Sequence, residues 1–423
     1  MQGGGFEPPK AEPAGLQPAP FGHSGIPAER ASVAAGSSAT YHRGVERFDV
    51  LVVGAGPAGA ATSIHLSRSG ARVLLADKAR FPRDKPCGGG LTGRALRHAP
   101  CDVAPVVEHV VDRFVLRAGY GRRVARASRE PLIRMTQRRR LDLHLAEQAA
   151  AAGAGFRDGV RVDELALGDD YVTAVVGGSP VRASFVVGAD GANGLVARAA
   201  ALGDGIVRGV ALEGNVPWAA LDPTPYRRTA WVELGIVPGG YGWVFPKGDH
   251  ANLGVGGWLE EGPRLREHLD RLARKHGLDP GALSEVRGHR VPMRRLGSKA
   301  ASGRVLLVGD AAGLVDPLSG DGIYEAFVSA RLAADAIIAG RPETYEVSLS
   351  AALDRHAAAS WKAKRAADRY PRACLLALRA PGVFDTVAGL LGGELAHPSE
   401  ARRLARPPLR ALSRLARTTP LRN

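Results

Sequence analysis

Residues 49–59 read DVLVVGAGPAG, and this stretch decides the fold. An apolar run stops on a glycine turn and passes straight into the alanine-rich segment 60–66, which is the order strand, tight turn, helix. In such a unit Gly54 permits the turn, Gly56 lets backbone amides approach a pyrophosphate, and Gly59 lets the helix pack closely on the strand. The helix N-terminus then faces the anion. The stretch therefore predicts a dinucleotide site in the N-terminal part of the chain.

A carboxylate follows the next strand, at the distance that dinucleotide sites use. Residues 71–76 read as the second strand, and Asp77 comes directly after it, where it can accept hydrogen bonds from a ribose. Residues 88–93, GGGLTG, repeat the glycine spacing but follow Pro86 and Cys87 instead of a strand. That second copy lacks the required context, so only the first predicts nucleotide binding.

The charge of the chain favours anionic partners. Lys and Arg number 57 and Asp and Glu 42, which gives a net charge of +15 and a sequence pI of about 10.3. Nucleotides, diphosphates and anionic lipid surfaces are attracted by such a field. The chain has no nucleic-acid recognition motif, and its aromatic residues do not interleave with basic clusters. We therefore predict no nucleic-acid partner.

Cysteine content and hydropathy favour a protein of the reducing cytoplasm. Cys87, Cys101 and Cys374 are widely spaced and odd in number, which argues against a disulfide framework and against a metal site. The sequence has no apolar run long enough to predict a membrane span, and no signal peptide is apparent. We expect a cytoplasmic protein without a metal ion.

Secondary-structure patterns divide the chain into discontinuous units. The first strand is expected from Phe48, and helices are expected over residues 141–152, 263–276 and 321–339. We predict an α/β fold: a Rossmann-like nucleotide-binding domain with an inserted antiparallel β-sheet substrate domain and a C-terminal helical region. The predicted units are a disordered leader over 1–46, the nucleotide-binding domain over 47–100, 134–203 and 295–340, the β-rich substrate domain over 101–133 and 204–294, and the helical region with a basic tail over 341–423.

Two further strand ends combine glycine with a carboxylate. Residues 184–198, SFVVGADGANGLVAR, end a buried strand on GADG, which contains Asp190. Residues 304–322, RVLLVGDAAGLVDPLSGDG, end another on GDAA, which contains Asp310, and lead through a glycine-rich loop to a helix. Each strand end delivers one carboxylate and permissive glycines to a ligand. For Asp190 the alternative is an ordinary turn residue after a strand.

The motifs GxGxxG, GADG and GDAA, in that order over residues 48–340, resemble those of flavoproteins with the para-hydroxybenzoate hydroxylase-like fold. The resemblance implies FAD, with Asp77 on the adenosine ribose, Asp310 on the ribityl chain, and the helix from Asp321 directed at the flavin ring. It also implies an arginine near the pyrophosphate, which Arg138 in RRRLDLHL matches. Two further arginines follow Arg138, so the assignment is ambiguous, and the run also reads as a solvated helix start. The implied cofactor-binding residues are Gly54, Gly56, Pro57, Ala58, Gly59, Asp77, Lys78, Cys87, Gly88, Gly89, Arg138, Asp190, Gly309, Asp310, Gly320, Gly322 and Ile323.

Two more motifs resemble the geranylgeranyl reductase family, whose members use FAD to hydrogenate isoprenoid double bonds. They are residues 83–91, RDKPCGGGL, and residues 238–246, PGGYGWVFP, which fit that family's PxxYxWxFP pattern at every fixed position. Strand alternation puts Tyr241, Trp243 and Phe245 on one face, where their rings would form an apolar wall for a greasy chain. The alternative is that these aromatics are sheet core.

The resemblance also places Cys87 beside the flavin ring. A thiol there could gate the site or donate a proton to the reacting alkene, and the alternative is an inert buried cysteine. Asp321 stands where that family is expected to have a glutamate. Three tryptophans near Trp243 in sequence are expected around the same cavity, namely Trp218, Trp231 and Trp258. The predicted catalytic residues are Cys87, Tyr241, Trp243 and Phe245.

Residues 395–423 form a basic tail with leucines between arginines. The tail could lie on an anionic membrane surface, as a peripheral contact where isoprenoid lipids reside. The alternative is a disordered charged tail broken by Pro407 and Pro408. The residues concerned are Arg402, Arg403, Arg406, Arg410, Arg414, Arg417, Arg422, Leu404, Leu409, Leu412 and Leu415.

Together the motifs predict an FAD-dependent oxidoreductase that reduces C=C bonds of an isoprenoid chain by hydride transfer from reduced flavin. No second strand-based dinucleotide fingerprint is visible, so NADPH would bind transiently, or a ferredoxin would supply electrons. One alternative is a flavin monooxygenase or halogenase acting on an aromatic compound, since the same fold hosts that chemistry. Halogenases carry WxWxIP in this region, and residues 241–246 depart from it at two places. The other alternative is a non-catalytic protein that binds flavin and prenyl lipids.

Overall fold

The computed structural model describes residues 44–417, with side chains described to residue 415. The predicted disordered leader, apart from its last three positions, and the end of the basic tail, 418–423, therefore lie outside the described residues. Within residues 44–417 we find no helix that is both long enough and apolar enough to span a bilayer.

Helices and strands alternate irregularly along the described chain. The strands are β1 (Glu46–Val53), β2 (Val73–Ala76), β3 (Gly90–Thr92), β4 (His109–Val111), β5 (Arg113–Ala118), β6 (Arg123–Ala127), β7 (Ile133–Met135), β8 (Gly155–Arg157), β9 (Val162–Leu167), β10 (Val172–Val176), β11 (Ser179–Gly188), β12 (Ile206–Pro217), β13 (Thr229–Leu234), β14 (Tyr241–Pro246), β15 (His250–Trp258), β16 (Ser284–Arg294), β17 (Ala301–Ser302) and β18 (Val305–Leu307). The helices are α1 (Pro57–Arg68), α2 (Gly93–Arg97), α3 (Arg138–Ala151), α4 (Leu195–Ala199), α5 (Leu265–Lys275), α6 (Ile323–Ile338), α7 (Thr344–Arg369), α8 (Pro371–Ala377), α9 (Val383–Gly392) and α10 (Arg406–Arg417).

The first sheet has a parallel core in the order β18–β11–β1–β2–β8. The apolar residues that end β1, β2 and β11 are buried, as expected for parallel strands covered on both faces. Parallel strands bring their carboxyl ends to one edge of a sheet. The glycine turn after β1, Asp77 after β2, Asp190 after β11 and Asp310 after β18 therefore lie along the same edge. This Rossmann-like arrangement confirms the predicted fold class.

The second sheet has seven strands against eight in the first, but most of them are longer, so we call it the larger sheet. It runs β16–β12–β15–β14–β13–β5–β6 and is antiparallel except where β13 pairs with β5. One face packs on α5, whose Leu265, Leu269 and Leu272 are fully or almost fully buried at helical spacing. Alternate residues of β14 point to the opposite face, so Tyr241 and Trp243 face away from α5. A small sheet, β3–β7–β4, begins directly after the loop that contains Cys87.

Element boundaries differ from prediction by a few residues. Strand β1 begins at Glu46 instead of Phe48, because Glu46 already pairs in register with β11. Helix α3 begins at Arg138, so the arginine run is helical. Helix α6 begins at Ile323, two residues after the predicted start: Gly322 is its N-cap, and the Asp321 carboxylate just before it accepts a hydrogen bond from the Ile323 amide at 3.0 Å.

Helices α7 to α10 form a layer that closes against the larger sheet. Helix α10 packs on α7, α8 and α9. Pro407 and Pro408 are its second and third residues, where backbone amides have no intrahelical partner in any case. The two prolines therefore stand in the first turn of this helix and do not break it.

Candidate functional site

A single cavity of about 1100 Å³ connects the carboxyl edge of the first sheet, the larger sheet and the C-terminal helices. It is larger than the roughly 300–1000 Å³ of ordinary small-molecule sites, so it has room for a dinucleotide and a second ligand. The predicted residues that line it are Gly54, Gly56, Pro57, Ala58, Asp77, Lys78, Cys87, Gly88, Gly89, Arg138, Asp190, Tyr241, Trp243, Phe245, Asp310, Gly320, Gly322 and Ile323. Gly59 and Gly309, also predicted, do not line it.

The glycine turn after β1 is built as its sequence predicts. Gly54 has a φ of +100°, and a Cβ there would lie 2.4 Å from the Ala189 carbonyl oxygen. A Cβ on Gly59 would lie 1.8 Å from the Gly54 carbonyl oxygen, so Gly59 serves helix packing rather than ligand contact. Gly56 is different, because the nearest atom to its missing Cβ is an Arg83 nitrogen at 3.5 Å. The N-terminus of α1 is thus open to a ligand at Gly56.

Two guanidinium groups flank this helix N-terminus. Arg138 and Arg83 place nitrogens 3.7 Å and 3.5 Å from the position of a Gly56 Cβ. Both are held by the fully buried Asp142, which accepts hydrogen bonds from Arg138 at 2.7 and 2.8 Å and pairs with Arg83 at 2.8 Å. Arg139 and Arg140 are exposed, so Arg138 is the arginine of the run that reaches the cavity. The arrangement offers cationic charge and free amides to an anion.

The three strand-end carboxylates have different surroundings. Asp77 accepts backbone hydrogen bonds from Ala55 at 2.8 Å and from Ala79 at 2.9 Å. Asp190 accepts two backbone hydrogen bonds through Oδ2, while its buried Oδ1 finds no partner among the described residues. Burial raises the pKa of Asp190. Asp310 pairs with Lys85 at 2.8 Å. Asp190 Oδ1 lies against Gly194, where a Cβ would be 2.2 Å from it.

Asp310 gives the site a pH-dependent stability. Burial acts to raise the pKa of Asp310, but the Lys85 ammonium and His289 hold that pKa well below its usual range. A carboxyl group with a depressed folded pKa stabilises the fold above its unfolded pKa, and this contribution is lost as the pH falls toward the folded value. We expect Lys85→Met to lower the Tm of the apoprotein at neutral pH and to reduce the further loss of Tm below about pH 5.

Scanning calorimetry of wild type and Lys85→Met over a pH series measures this effect. Lys78→Met is the matched control, because Lys78 lines the same cavity and makes no ion pair among the described residues. Parallel Tm curves for wild type and Lys85→Met would show that Lys85 does not set the pKa of Asp310.

The aromatic side chains of β14 form one wall of the cavity. Ring centroids of Tyr241 and Trp243 are 6.0 Å apart, and those of Trp243 and Phe245 are 6.3 Å apart. Trp243 donates a hydrogen bond from Nε1 to Asn252 Oδ1 at 2.8 Å, and Tyr241 donates to the Ser319 carbonyl oxygen. Burial raises the pKa of Tyr241, so its phenol remains a neutral donor. These bonds fix the rings in place.

The expectation that four tryptophans surround the cavity is wrong, because only Trp243 of that group lines it. Trp231 precedes the cavity-lining Val232 on β13, so its side chain points to the opposite face of the sheet. There it contacts His276, with ring centroids 5.3 Å apart. Trp218 donates to backbone carbonyls near Lys247 instead. Proximity in sequence does not fix the face of a strand on which a side chain lies.

The loop that contains Cys87 lies against this aromatic wall. A Cβ on Gly88 would lie 3.0 Å from the Phe245 ring. The Cys87 amide donates to Glu213 Oε1 at 2.8 Å, and Lys247 Nζ donates to the Cys87 carbonyl oxygen at 2.8 Å. Burial raises the pKa of Glu213. Hydrogen bonds on both sides therefore hold the loop where the carboxyl edge of the first sheet, which we call the cofactor edge, meets the aromatic wall.

Sequence reasoning missed several of these site residues. Arg83 and Lys85 lie inside the RDKPCGGGL motif, and positive charge beside a glycine turn is a local pattern that could have indicated an anion site. Glu213, Lys247 and His289 lie within strands or just after them and carry no local pattern that marks them. Strand pairing brings Glu213 and His289 to the cavity and Lys247 to the Cys87 loop.

Comparisons with known proteins agree with this geometry. A family model described as FAD binding domain matches residues 47–339. The chain is 33% identical to the menaquinone reductase of Mycolicibacterium smegmatis, over 75% of this chain and 83% of that protein. It is 31% identical to the geranylgeranyl diphosphate reductase of Rhodobacter capsulatus, over 73% of this chain and 81% of that protein.

Solved structures show the same fold. A geranylgeranyl bacteriochlorophyll reductase-like protein from Thermoplasma acidophilum superposes with a TM-score of 0.71 at 24% identity, over 87% of this chain and 96% of that one. A flavin-dependent brominase gives 0.70 at 19% identity, over 88% of this chain and 100% of that one. The open amides at Gly56 and the flanking guanidinium groups fit the pyrophosphate of FAD. The chain belongs to the FAD-dependent geranylgeranyl reductase family of flavoprotein oxidoreductases.

Proposed function

We propose that this protein reduces carbon–carbon double bonds in the isoprenoid chain of a lipid. The observation that carries the proposal is the continuity of the cavity, which runs from the cofactor edge past the β14 rings into the helical layer. Its far walls are apolar and belong to several elements, including Leu116, Ile133, Leu234, Phe384, Leu409 and Leu412. An extended greasy chain can lie there with one segment against Trp243. The names of two relatives, geranylgeranyl diphosphate reductase and menaquinone reductase, support the same substrate class.

Different residues of the site would bind different parts of FAD. The open amides at Gly56, with Arg138 and Arg83, would bind the pyrophosphate. Asp77 would accept from the adenosine ribose, and Asp310 from the ribityl chain. When bound and reduced, FAD supplies a hydride to one carbon of the double bond.

The substrate-side residues position the chain and exclude water. Trp243 and Phe245 would hold the reacting segment flat, since their rings are fixed by hydrogen bonding and by contact with the Cys87 loop. The second carbon needs a proton, for which the Cys87 thiol or a water beside it is the proposed source. Glu213 and Lys247 hold the Cys87 backbone and so fix where that proton is delivered.

The electron donor is proposed to be NADPH or a ferredoxin. The sequence has one strand-based dinucleotide fingerprint, which FAD would occupy. NADPH would then bind transiently at the open part of the cavity, without a domain of its own.

We also propose that the protein contacts membranes peripherally. Leu404 is 72% exposed, and the arginines from Arg402 to Arg414 are exposed beside it. Leu409 and Leu412 line the cavity instead, so fewer leucines of the tail are free to contact lipid than its sequence indicates. Such a surface fits an anionic bilayer.

Mass spectrometry tests the proposed reaction. The reduced holoenzyme is incubated without oxygen with geranylgeranyl diphosphate and, separately, with menaquinone, and the products are scored for added hydrogen. We expect two hydrogens per reduced bond in at least one of them. Oxygen consumption coupled to turnover of an aromatic compound would instead indicate a monooxygenase or halogenase. Holoenzyme that no polyprenyl acceptor reoxidises would indicate a non-catalytic carrier.

Trp243→Ala tests the aromatic wall. We expect kcat/KM for the isoprenoid to fall about 30-fold, because a buried ring contact worth about 2 kcal/mol is lost, while FAD stays bound. Trp231→Ala is the control, since Trp231 lies in the neighbouring strand and does not line the cavity. Loss of FAD from Trp243→Ala, with normal alkene reduction by the residual holoenzyme, would show that Trp243 serves the cofactor.

A further inference from the structure

The cavity-facing side of α7 combines alanines with two lysines, of which Lys364 is buried and donates to the Gly239 carbonyl oxygen. Ala359, Ala363 and Ala366 line the cavity at helical spacing. Lys362 also lines it and is exposed to solvent, which shows that the cavity opens there. Arg355, one turn before Ala359, lies on the same face of the helix. The apolar cavity therefore ends at a positively charged opening.

His397 lies at the same opening and is bonded to its neighbours. It lines the cavity, and its Nδ1 accepts a hydrogen bond from the Ser399 amide at 3.1 Å. Arg355 donates to Ser399 Oγ at 3.0 Å, and that Oγ lies 2.8 Å from His397 Nδ1. Because Nδ1 is an acceptor, Nε2 of the neutral ring carries the proton and can donate. We call Arg355, Lys362 and His397 the cationic rim.

The positive charge of the cationic rim is not neutralised within the protein. Neither Arg355 nor Lys362 forms an ion pair with any carboxylate of the described chain. Burial and the charges of Arg355 and Lys362 lower the pKa of His397, and Glu400 only partly opposes them. Lys85, at the cofactor end of the cavity, is by contrast paired with Asp310. The rim therefore has free capacity for an anion.

We propose that the cationic rim binds the phosphate or diphosphate group of a lipid whose chain fills the apolar cavity. The proposal rests on the proposed function and names the head group that the substrate carries. A guanidinium fork, an ammonium and an imidazole donor together match the oxygens of a phosphate. The lipid then lies with its head at α7 and its chain directed toward Trp243.

Inorganic pyrophosphate is the direct probe of the cationic rim. Its binding to the full-length, FAD-loaded protein is measured by isothermal titration calorimetry. We expect Lys362→Met and Arg355→Met each to weaken binding at least about tenfold, as the loss of a charge-assisted hydrogen bond predicts. Lys299→Met is the control, because Lys299 is exposed, lies outside the cavity and is likewise without an ion pair among the described residues. Equal affinity in wild type and both rim variants would overturn the proposal.

Turnover assays distinguish a lipid diphosphate from a phospholipid as the source of the phosphate group. Geranylgeranyl diphosphate and a phospholipid with geranylgeranyl chains are compared with geranylgeraniol, which has no phosphate. We expect the rim variants to lower kcat/KM about tenfold for at least one phosphorylated lipid and to leave geranylgeraniol unchanged. An equal loss for geranylgeraniol would overturn the proposal. Rim-dependent pyrophosphate binding without reduction of any isoprenoid would refute the proposed function and leave the anion site standing.

Discussion

Gly56→Ala is expected to remove FAD from a protein that still folds. The added methyl group meets no atom closer than 3.5 Å in the protein, so the turn and α1 can form. The same methyl group would occupy the space through which the pyrophosphate reaches the amides of α1. We expect FAD to bind about 100-fold more weakly, since two charge-assisted hydrogen bonds are worth about 3 kcal/mol or more. Flavin absorbance of the purified protein and calorimetric titration of the apoprotein measure this change.

Two other glycines provide the comparison. Gly59→Ala places a methyl carbon 1.8 Å from a backbone oxygen, so it is expected to lower the Tm of the apoprotein as well as FAD content. Gly262→Ala meets no atom closer than 3.9 Å and does not line the cavity, so it should change neither. If Gly56→Ala bound FAD as tightly as wild type, the pyrophosphate would lie elsewhere than on the N-terminus of α1.

Asp142→Ala is expected to destabilise the protein by about 3–5 kcal/mol, because it leaves the buried Arg138 without its carboxylate and leaves Arg83 only the more distant Asp77, at 3.8 Å. Asp142 is fully buried and accepts both hydrogen bonds of the Arg138 fork. Arg138 is itself buried, and burial without Asp142 would disfavour its charge. Urea denaturation of the apoprotein measures the change in the free energy of unfolding.

A matched pair elsewhere isolates the effect of burial. Arg266 and Asp270 have the same spacing of four residues on a helix, but the Arg266 side chain is 57% exposed. Asp270→Ala is therefore expected to cost no more than about 0.5 kcal/mol. Equal losses for Asp142→Ala and Asp270→Ala would mean that water or an alternative partner compensates Arg138 in the interior.

The sequence predicts the cofactor edge well because each of its parts is local. A buried strand, a glycine and a carboxylate follow one another within a few residues at Gly54, Asp190 and Asp310. The parallel pairing of their strands then brings them together without further information. The strand 241–246 is equally local, since its alternation places its three rings on one face.

The remaining contacts join residues that are far apart in the chain. Lys85 and Asp310 are separated by 225 positions, and the Cys87 amide and Glu213 by 126. No periodicity reports such pairs, because Asp310 follows a strand of the first sheet and Glu213 lies on a strand of the second, so both pairs depend on how the Cys87 loop packs against the two sheets. The aromatic residues show the same limit, since Trp231 and Trp243 lie in adjacent strands but on opposite faces.

Helix α10 comes after every other wall of the cavity in chain order, yet Leu409 and Leu412 complete that cavity. Because a ribosome makes the chain from its N-terminus, the apolar lining of the cavity stays exposed to solvent until this last wall has been synthesised. During that interval the nascent chain exposes a concave apolar surface, which is the kind of surface that chaperones and detergents bind. A stop codon ahead of residue 406 would make that transient state permanent, so truncated protein should purify with bound detergent or aggregate.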